Sequence, residues 1–129
     1  MDYIVWLDSE KAQIFGLNTT GIEKSNVKKS GIDHHSHDKK DHTNDSHLEH
    51  FYRDVATKIN DAVQLLIMGP GVAKSHFKNY LESHHASGLS KKVIGIENSD
   101  HPTDNQILAT ARGFFKTYEL FNTPIKVPQ

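Results

Sequence analysis

The sequence predicts an α/β fold in which helices pack on a mixed five-stranded sheet. The main observation is a unit that occurs twice between residues 63 and 118, a short apolar strand that turns sharply into an amphipathic helix. Strands that alternate with helices are typical of a parallel sheet covered by helices. The second observation is a pair of short extended segments at the start of the chain, which predicts a hairpin.

The first three strands are predicted to form a meander. Residues 3 to 8 and 11 to 18 are extended candidates, and the tight link Ser9-Glu10 lies between them. The second of these segments alternates apolar and polar residues, as a half-buried strand does. A third strand is predicted from Ile22 to Val27.

The segment from Lys28 to Ser46 is polar and rich in His, and Ile32 is its one apolar residue. Such a segment cannot offset its ordering entropy by packing, so it is predicted to be a mobile loop. Ser46 with Glu49 three residues later is a capping-box pattern, which predicts that the first helix begins there. The apolar residues that follow at helical spacing are Leu48, Phe51, Tyr52, Val55, Ile59 and Val63.

The first repeated unit is a strand over residues 64 to 68, followed by Gly69-Pro70-Gly71 and a helix. Pro70 is expected in the first turn of that helix, where its missing amide proton costs nothing. The apolar face of this helix is predicted to comprise Val72, Phe77, Tyr80 and Leu81.

The second repeated unit is a strand over residues 93 to 97 and a helix that begins at a second capping box, formed by Thr103 and Gln106. The apolar stripe of this last helix is predicted to comprise Ile107, Leu108, Ala111, Phe114, Phe115 and Tyr118. The whole order is three strands, helix, strand, helix, strand, helix, which is the ribonuclease H-like order. A chain of 129 residues suits one such domain, predicted over residues 1 to 122 with a mobile loop at 28 to 46 and a tail at 123 to 129.

Composition limits the classes of function. The formal net charge of −1 provides no strong overall attraction for a nucleic acid, so any RNA contact needs a local patch. The absence of cysteine excludes disulfides and thiolate metal sites. The first seven residues resemble neither a signal peptide nor a membrane anchor, so a cytoplasmic protein without membrane contact is predicted.

Hydrolysis of a phosphodiester on this architecture would need several carboxylates that converge on two metal ions. Asp8 and Glu49 are candidates, but the end of the fourth strand, Met68-Gly69-Pro70, contains no acid. The set is incomplete, so a vestigial nuclease or hydrolase is only a third hypothesis. Asp8 is better interpreted as a turn residue.

The His-rich loop contains imidazoles and carboxylates, which are good ligands for zinc, nickel or copper. The candidate metal ligands are His34, His35, His37 and His42. Their spacing matches no helical zinc motif, for which only His47 and His50, three residues apart, come close. No cofactor is expected unless this loop binds zinc or nickel, and a metal-binding or metal-sensing domain is the alternative function.

The turns after the fourth and fifth strands are the first places to look for a site, because sites in such sheets occur at the carboxyl ends of strands. Gly69-Pro70-Gly71 with Lys74 resembles a phosphate-binding loop superficially but lacks the Walker spacing, so a tight turn is the favoured interpretation. Asp100, His101 and Asp104 crowd the second turn and are interpreted as cap and turn residues.

Residues 65 to 77 and 92 to 106 contain the two turns. The sequence of these two segments resembles that of stand-alone bacterial proteins named "translational machinery protein". Those proteins are similar to the middle domain of the archaeo-eukaryotic peptide-chain release factor and Pelota superfamily. The resemblance implies a ribonuclease H-like core and a role in translation. Release factors of this superfamily use a Gly-Gly-Gln tripeptide before the first helix, and this chain has the His-rich loop in its place.

The sequence and the resemblance together predict a translation-associated binding module without catalytic residues, which contacts the ribosome or RNA. Oligomeric state is left open. The residues predicted to contact the partner are His34, His35, His37, Lys39, Lys40, His42, Gly69, Pro70, Gly71, Lys74, His101 and Asp104.

Overall fold

The computed structural model of the chain describes residues 1–30, 41–84, 88–115 and 125–126. The elements are β1 (Asp2–Leu7), β2 (Lys11–Asn18), β3 (Gly21–Lys28), α1 (Asp41–Lys58), β4 (Gln64–Gly69), α2 (Ala73–His84), a 3-10 helix (Leu89–Lys92), β5 (Val93–Asn98), α3 (Asp104–Ala111) and β6 (Ile125–Lys126). The predicted order of five strands and three helices is confirmed. The short β6 lies within the segment that was predicted as a tail.

The strands form one mixed sheet with the order β5-β4-β1-β2-β3-β6 in the described ranges. β1, β2 and β3 are antiparallel neighbours, as the predicted meander requires. β4 pairs parallel to β1, and β5 pairs parallel to β4. The first five strands therefore form the predicted five-stranded sheet. β6 adds a short sixth strand, which pairs parallel to β3. The carboxyl ends of β1, β4 and β5 meet at the same edge of the sheet.

Both faces of the sheet are covered by apolar side chains, because successive residues of a strand point to opposite faces. β1 shows this alternation, since Val5 and Leu7 face one core and Ile4 and Trp6 face the other. The α1–α2 core includes Phe51, Tyr52, Val55, Ile59, Ile67, Phe77 and Leu81. The α3 core includes Ile4, Trp6, Phe15, Leu66, Met68, Ile107, Leu108 and Phe115.

Two predicted helix starts are wrong. α1 begins at Asp41, so Ser46 lies inside the helix and is not its N-cap. Apolar periodicity could not reveal this extension, because residues 41 to 46 contain no apolar residue. α2 begins at Ala73, and Pro70 precedes its first turn. The reason is the positive φ of Gly69 and Gly71, which no α-helix accommodates.

The ends of the predicted apolar faces also differ from the structure. Val63 and Val72 are 59% and 64% exposed, because both lie outside the helices whose faces they were predicted to extend. α3 ends at Ala111, and Phe115 is buried beyond the helix end. Tyr118 lies outside the described residues. None of the helices in the described ranges is long and apolar enough to cross a membrane.

Candidate functional site

The carboxyl ends of β1, β4 and β5 bring polar side chains and a glycine turn into one continuous surface. We name it the strand-end surface. It comprises Asp8, Gly69, Pro70, Gly71, Lys74, Asn98, Asp100 and His101.

The glycine turn after β4 is shaped by two positive φ angles. Gly69 has a φ of 152°, and a Cβ at this position would overlap the carbonyl oxygen of Leu7. Its carbonyl oxygen accepts the N–H of Ser99 at 3.0 Å, which ties the turn to the end of β5. Gly71 has a φ of 60° and no neighbour within 4 Å of a Cβ built on it. These glycines therefore form the tight strand-to-helix turn that was predicted.

Lys74 holds the glycine turn against the end of β5. Its ammonium group donates to the carbonyl oxygen of Gly71 at 2.5 Å and to Oδ1 of Asn98 at 3.0 Å. Both acceptors are neutral groups, so these bonds orient the ammonium without neutralising its charge. Lys74 thus brings a fixed positive charge to the strand-end surface.

His101 lies between two carboxylates. Its Nδ1 is 3.1 Å from Oδ1 of Asp100, and its Nε2 is 3.7 Å from Oδ2 of Asp8. The imidazole ring is 5.3 Å from the indole ring of Trp6 at an interplanar angle of 57°. The Trp6 indole N–H donates to the carbonyl oxygen of Asp100 at 3.1 Å, so the residue before His101 is anchored on a buried side chain. The imidazole itself is 61% exposed and available to a partner.

Asp8 has the turn role that was predicted for it. Its Oδ1 accepts the backbone N–H of Glu10 at 2.8 Å and of Lys11 at 2.9 Å, which closes the link between β1 and β2. The other candidate carboxylate, Glu49, pairs with His84 of α2 at 3.3 Å. The two acids thus have different partners. Among the described residues, no group of three or more His, Asp or Glu could hold a metal ion.

Asp104 bonds to β3. Both oxygens of its carboxylate accept bonds from Lys24 Nζ, at 2.8 and 3.0 Å, and the ammonium group also lies 5.6 Å from the centre of the Phe15 ring. Asp104 lies in the first turn of α3, where a negative charge interacts favourably with the helix dipole. The pair links the start of α3 to the sheet. Asp104, which was predicted to contact the partner, is therefore paired with Lys24 within the domain.

Most of the loop residues that were predicted to contact the partner or a metal fall outside the described part of the chain. His34, His35, His37, Lys39 and Lys40 lie outside the described residues. His42 lies in α1, but its side chain is outside the described part of the chain. The metal site and the loop contact therefore stay predictions.

Two residues of this region, Asn98 and Trp6, were not among the residues predicted from the sequence. Asn98 is the last residue of β5, so the rule that sites lie at carboxyl ends of parallel strands contained the signal for it. Trp6 had no such signal, because an apolar residue in a buried strand is normally a packing residue. Its role in anchoring Asp100 becomes visible only when β1 and the segment after β5 are adjacent.

The strand order and the helices packed on the sheet define a ribonuclease H-like α/β domain. Comparison with known proteins shows which proteins of this fold the chain is similar to. No protein-family model matches the chain. The chain is similar to the Pelota homologue of Methanococcus vannielii, with 29% identity over 99 residues, which are 76% of this chain and 27% of that protein. It therefore spans about a quarter of the length of this relative.

Three solved structures share the fold at low sequence identity. Pelota of Archaeoglobus fulgidus has a TM-score of 0.59 and 18% identity, over 84% of this chain and 30% of that one. An archaeal translation termination factor has a TM-score of 0.61 and 15% identity, over 92% and 35%. Pelota of Thermoplasma acidophilum has a TM-score of 0.57 and 19% identity, over 91% and 32%. The chain thus has the fold of about a third of each of these proteins.

Proposed function

We propose that this chain is a translation-associated binding module that contacts the ribosome or its RNA through the strand-end surface and through residues 28–50. Its fold likeness to Pelota and to a translation termination factor supports this role. The chain contains no Gly-Gly-Gln tripeptide, so peptide release is not part of the proposal. We also propose that the chain belongs to the bacterial "translational machinery protein" family and that it acts in the cytoplasm.

The observation that carries the proposal is the fixed ammonium group of Lys74 at the glycine turn. A chain of net charge −1 must bind RNA through a local patch, because phosphate contacts supply most of the affinity for a nucleic acid. Lys74 is bonded to two neutral oxygens, whereas Asp8 and Asp100 on the same surface lie against His101, so on this surface the phosphate contact is proposed at the Lys74 ammonium group alone. The exposed imidazole of His101 adds a second hydrogen-bonding group on the same surface.

Co-sedimentation with purified bacterial ribosomes tests the role of Lys74. We expect Lys74→Ala to weaken binding. The affinity should also fall less steeply with salt, with the negative slope of log affinity against log salt reduced in magnitude by about 1, as the loss of one phosphate contact does. Lys78→Ala is the matched control, because Lys78 lies on the same helix but pairs with Glu82 at 2.9 Å. Equal binding of the wild-type, Lys74→Ala and Lys78→Ala proteins would contradict the proposal, as would no binding of the wild type.

A second variant tests the contribution of the loop. Residues 31–40 are replaced by a Gly/Ser linker of equal length, which leaves β3 and α1 in place. Ribosome binding that survives a chelator but not this replacement supports the proposal. Zinc or nickel retained through purification, with no ribosome binding, would instead favour the metal-binding alternative.

A further inference from the structure

The β2–β3 hairpin has a polar end beside the strand-end surface. β2 begins where β1 ends, so the start of β2 and the end of β3 lie at the same edge of the sheet as the carboxyl ends of β1, β4 and β5. An open groove with a volume of about 580 Å³ lies at this end of the hairpin, lined by Lys11, Ala12, Gln13, Asn26, Val27 and Lys28. We name its four polar residues, Lys11, Gln13, Asn26 and Lys28, the hairpin patch.

The hairpin patch faces the α3 side of the sheet. Ala12 and Val27 pair with each other across the hairpin, and both are buried in the α1–α2 core. Because successive residues of a strand point to opposite faces, the neighbours of this pair in both strands point to the α3 side. Three residues of the hairpin patch are exposed, and Gln13 is partly buried. The accessible side chains of the groove are therefore polar.

Two positive charges lie directly opposite each other in the hairpin patch. Lys11 pairs with Lys28 in the register of β2 and β3, and like charges at such positions destabilise a sheet. In the described part of the chain, neither ammonium group has an acidic partner. The acids nearest along the chain are Asp8 and Glu10, and Lys29 adds a third positive charge directly after β3. Positive charge therefore exceeds negative charge at this end of the hairpin.

Protection of a sheet edge does not account for both lysines. A lysine on an edge strand prevents pairing with another chain, and in the described ranges β3 pairs with β6 only at Ile22 and Glu23. Lys28 fits that role. Lys11 does not, because β2 lies between β1 and β3. A pair of residues that breaks a local rule of stability, without a compensating contact in the domain, is typical of a functional site.

We propose that the hairpin patch binds the phosphate backbone of RNA, as a second contact beside that of Lys74. This inference rests on the proposed function and extends it to residues of β2 and β3 that lie outside the strand-end surface. The two ammonium groups offer charge to the phosphates, and the amides of Gln13 and Asn26 can donate to phosphate or sugar oxygens. Only β1 separates β2 from β4, so these strands lie about 10 Å apart, and one RNA strand can reach both contacts.

Fluorescence anisotropy with a labelled oligouridine RNA tests the hairpin patch. We expect the double variant Lys11→Gln/Lys28→Gln to bind at least about fivefold more weakly at about 0.1 M salt, with the salt slope reduced in magnitude by about 1.4, since each phosphate contact to a single strand contributes about 0.7. Lys91→Gln/Lys92→Gln is the matched control, because it also removes two adjacent lysines but lies before β5, at the opposite edge of the sheet. Equal effects of the two double variants, or no RNA binding by the wild type, would overturn the proposal.

Stability measurements distinguish a loss of binding from a loss of folding. Lys11→Gln/Lys28→Gln should leave the melting temperature unchanged or raise it, because the repulsion between the two lysines is removed. Lys11→Glu should raise it as well, since an opposite charge then faces Lys28, and should weaken RNA binding. A melting temperature that falls in both variants would show that the lysines stabilise the hairpin, and would overturn the proposal.

Ribosome co-sedimentation of the same variants separates this inference from the proposed function. If Lys74→Ala weakens ribosome binding and Lys11→Gln/Lys28→Gln weakens neither ribosome nor RNA binding, the proposed function stands and the hairpin patch is overturned. RNA binding that depends on Lys11 and Lys28, without any ribosome binding, would support the hairpin patch and contradict the proposed function. Polyglutamate that displaces the labelled RNA as well as unlabelled RNA of equal charge would assign the patch to an acidic protein segment and overturn the RNA contact.

Discussion

At Gly69 the chain leaves β4 in a backbone conformation that side chains rarely adopt. The positive φ and the close Leu7 carbonyl group together exclude a Cβ, whereas Gly71 has only the first of these constraints. Two glycines of the same short motif thus have different structural roles. The sequence predicted a tight turn from their presence but could not rank them, because the ranking depends on β1 being the neighbour of β4.

We predict that Gly69→Ala lowers the free energy of unfolding by more than about 3 kcal/mol, because strain and steric overlap add. Gly71→Ala should cost only about 1 to 2 kcal/mol, since left-handed strain is its main penalty. Urea denaturation of both variants, followed by circular dichroism, measures the difference. Equal losses for the two variants would show that the contact with Leu7 is relieved by a backbone shift.

Tyr3 provides a prediction on pH. Burial, and then the hydrogen bond and negative charge of Asp61, raise the pKa of the Tyr3 hydroxyl above its ordinary value of 10.0. The hydroxyl donates to Asp61 Oδ1 at 2.5 Å. Because the folded state holds this proton more tightly than the unfolded state, the stabilisation is present below about pH 10 and is lost as pH rises through the folded pKa.

We expect Tyr3→Phe to lower the free energy of unfolding by about 1 to 3 kcal/mol at neutral pH and to flatten its decline above pH 10. Tyr52→Phe is the comparison, because burial raises the pKa of Tyr52 without a carboxylate among the causes. Denaturation at a series of pH values measures both effects. A Tyr3→Phe variant with the same alkaline decline as the wild type would contradict the assignment.

At the scale of the element, α3 shows why some helix starts can be read from sequence. Thr103 Oγ1 accepts the N–H of Gln106 at 3.2 Å, and the Gln106 side chain accepts the N–H of Thr103 at 2.9 Å. Both bonds are local, so the four-residue pattern is sufficient to predict them. The same pattern at Ser46 failed because the polar residues before it continue the helix. Distant partners, such as Lys24 for Asp104, have no local signal.

We predict that Thr103→Ala lowers the free energy of unfolding by about 1 kcal/mol, because one amide of the first turn loses its acceptor. Thr57→Ala is the control within a helix. The Thr57 hydroxyl bonds back to the carbonyl of Arg53 at 2.9 Å, an interaction that contributes little to helix stability. Thermal unfolding of both variants checks the difference, and a Thr57→Ala loss as large as that of Thr103→Ala would contradict it.

At the scale of the whole molecule, one sheet separates two apolar cores. The strand order and the layers could be predicted because periodicity and turn residues are strong signals for elements of this length. β6 could not be predicted, because two residues carry no periodicity. The polar contacts of the strand-end surface also depend on how three strands from distant parts of the chain lie side by side.

We predict that the two cores unfold together. Phe77→Ala should lower the free energy of unfolding by about 3 to 5 kcal/mol, because Phe77 is fully buried in the α1–α2 core. The chain's single tryptophan, Trp6, lies in the α3 core and reports on the opposite face. Fluorescence and circular dichroism should therefore shift by the same amount, whereas Val72→Ala, at an exposed site, should change stability by less than about 0.5 kcal/mol. A fluorescence midpoint that stays at the wild-type value would indicate two independent units.

The bonds that tie the strand-end surface together have a further consequence for recognition. Trp6 anchors Asp100, Ser99 bonds to Gly69, and Lys74 bonds to Asn98. These groups lose their conformational freedom when the domain folds, well before any encounter. A molecule that docks there meets a preorganised face, so the entropic cost of ordering falls mainly on that molecule.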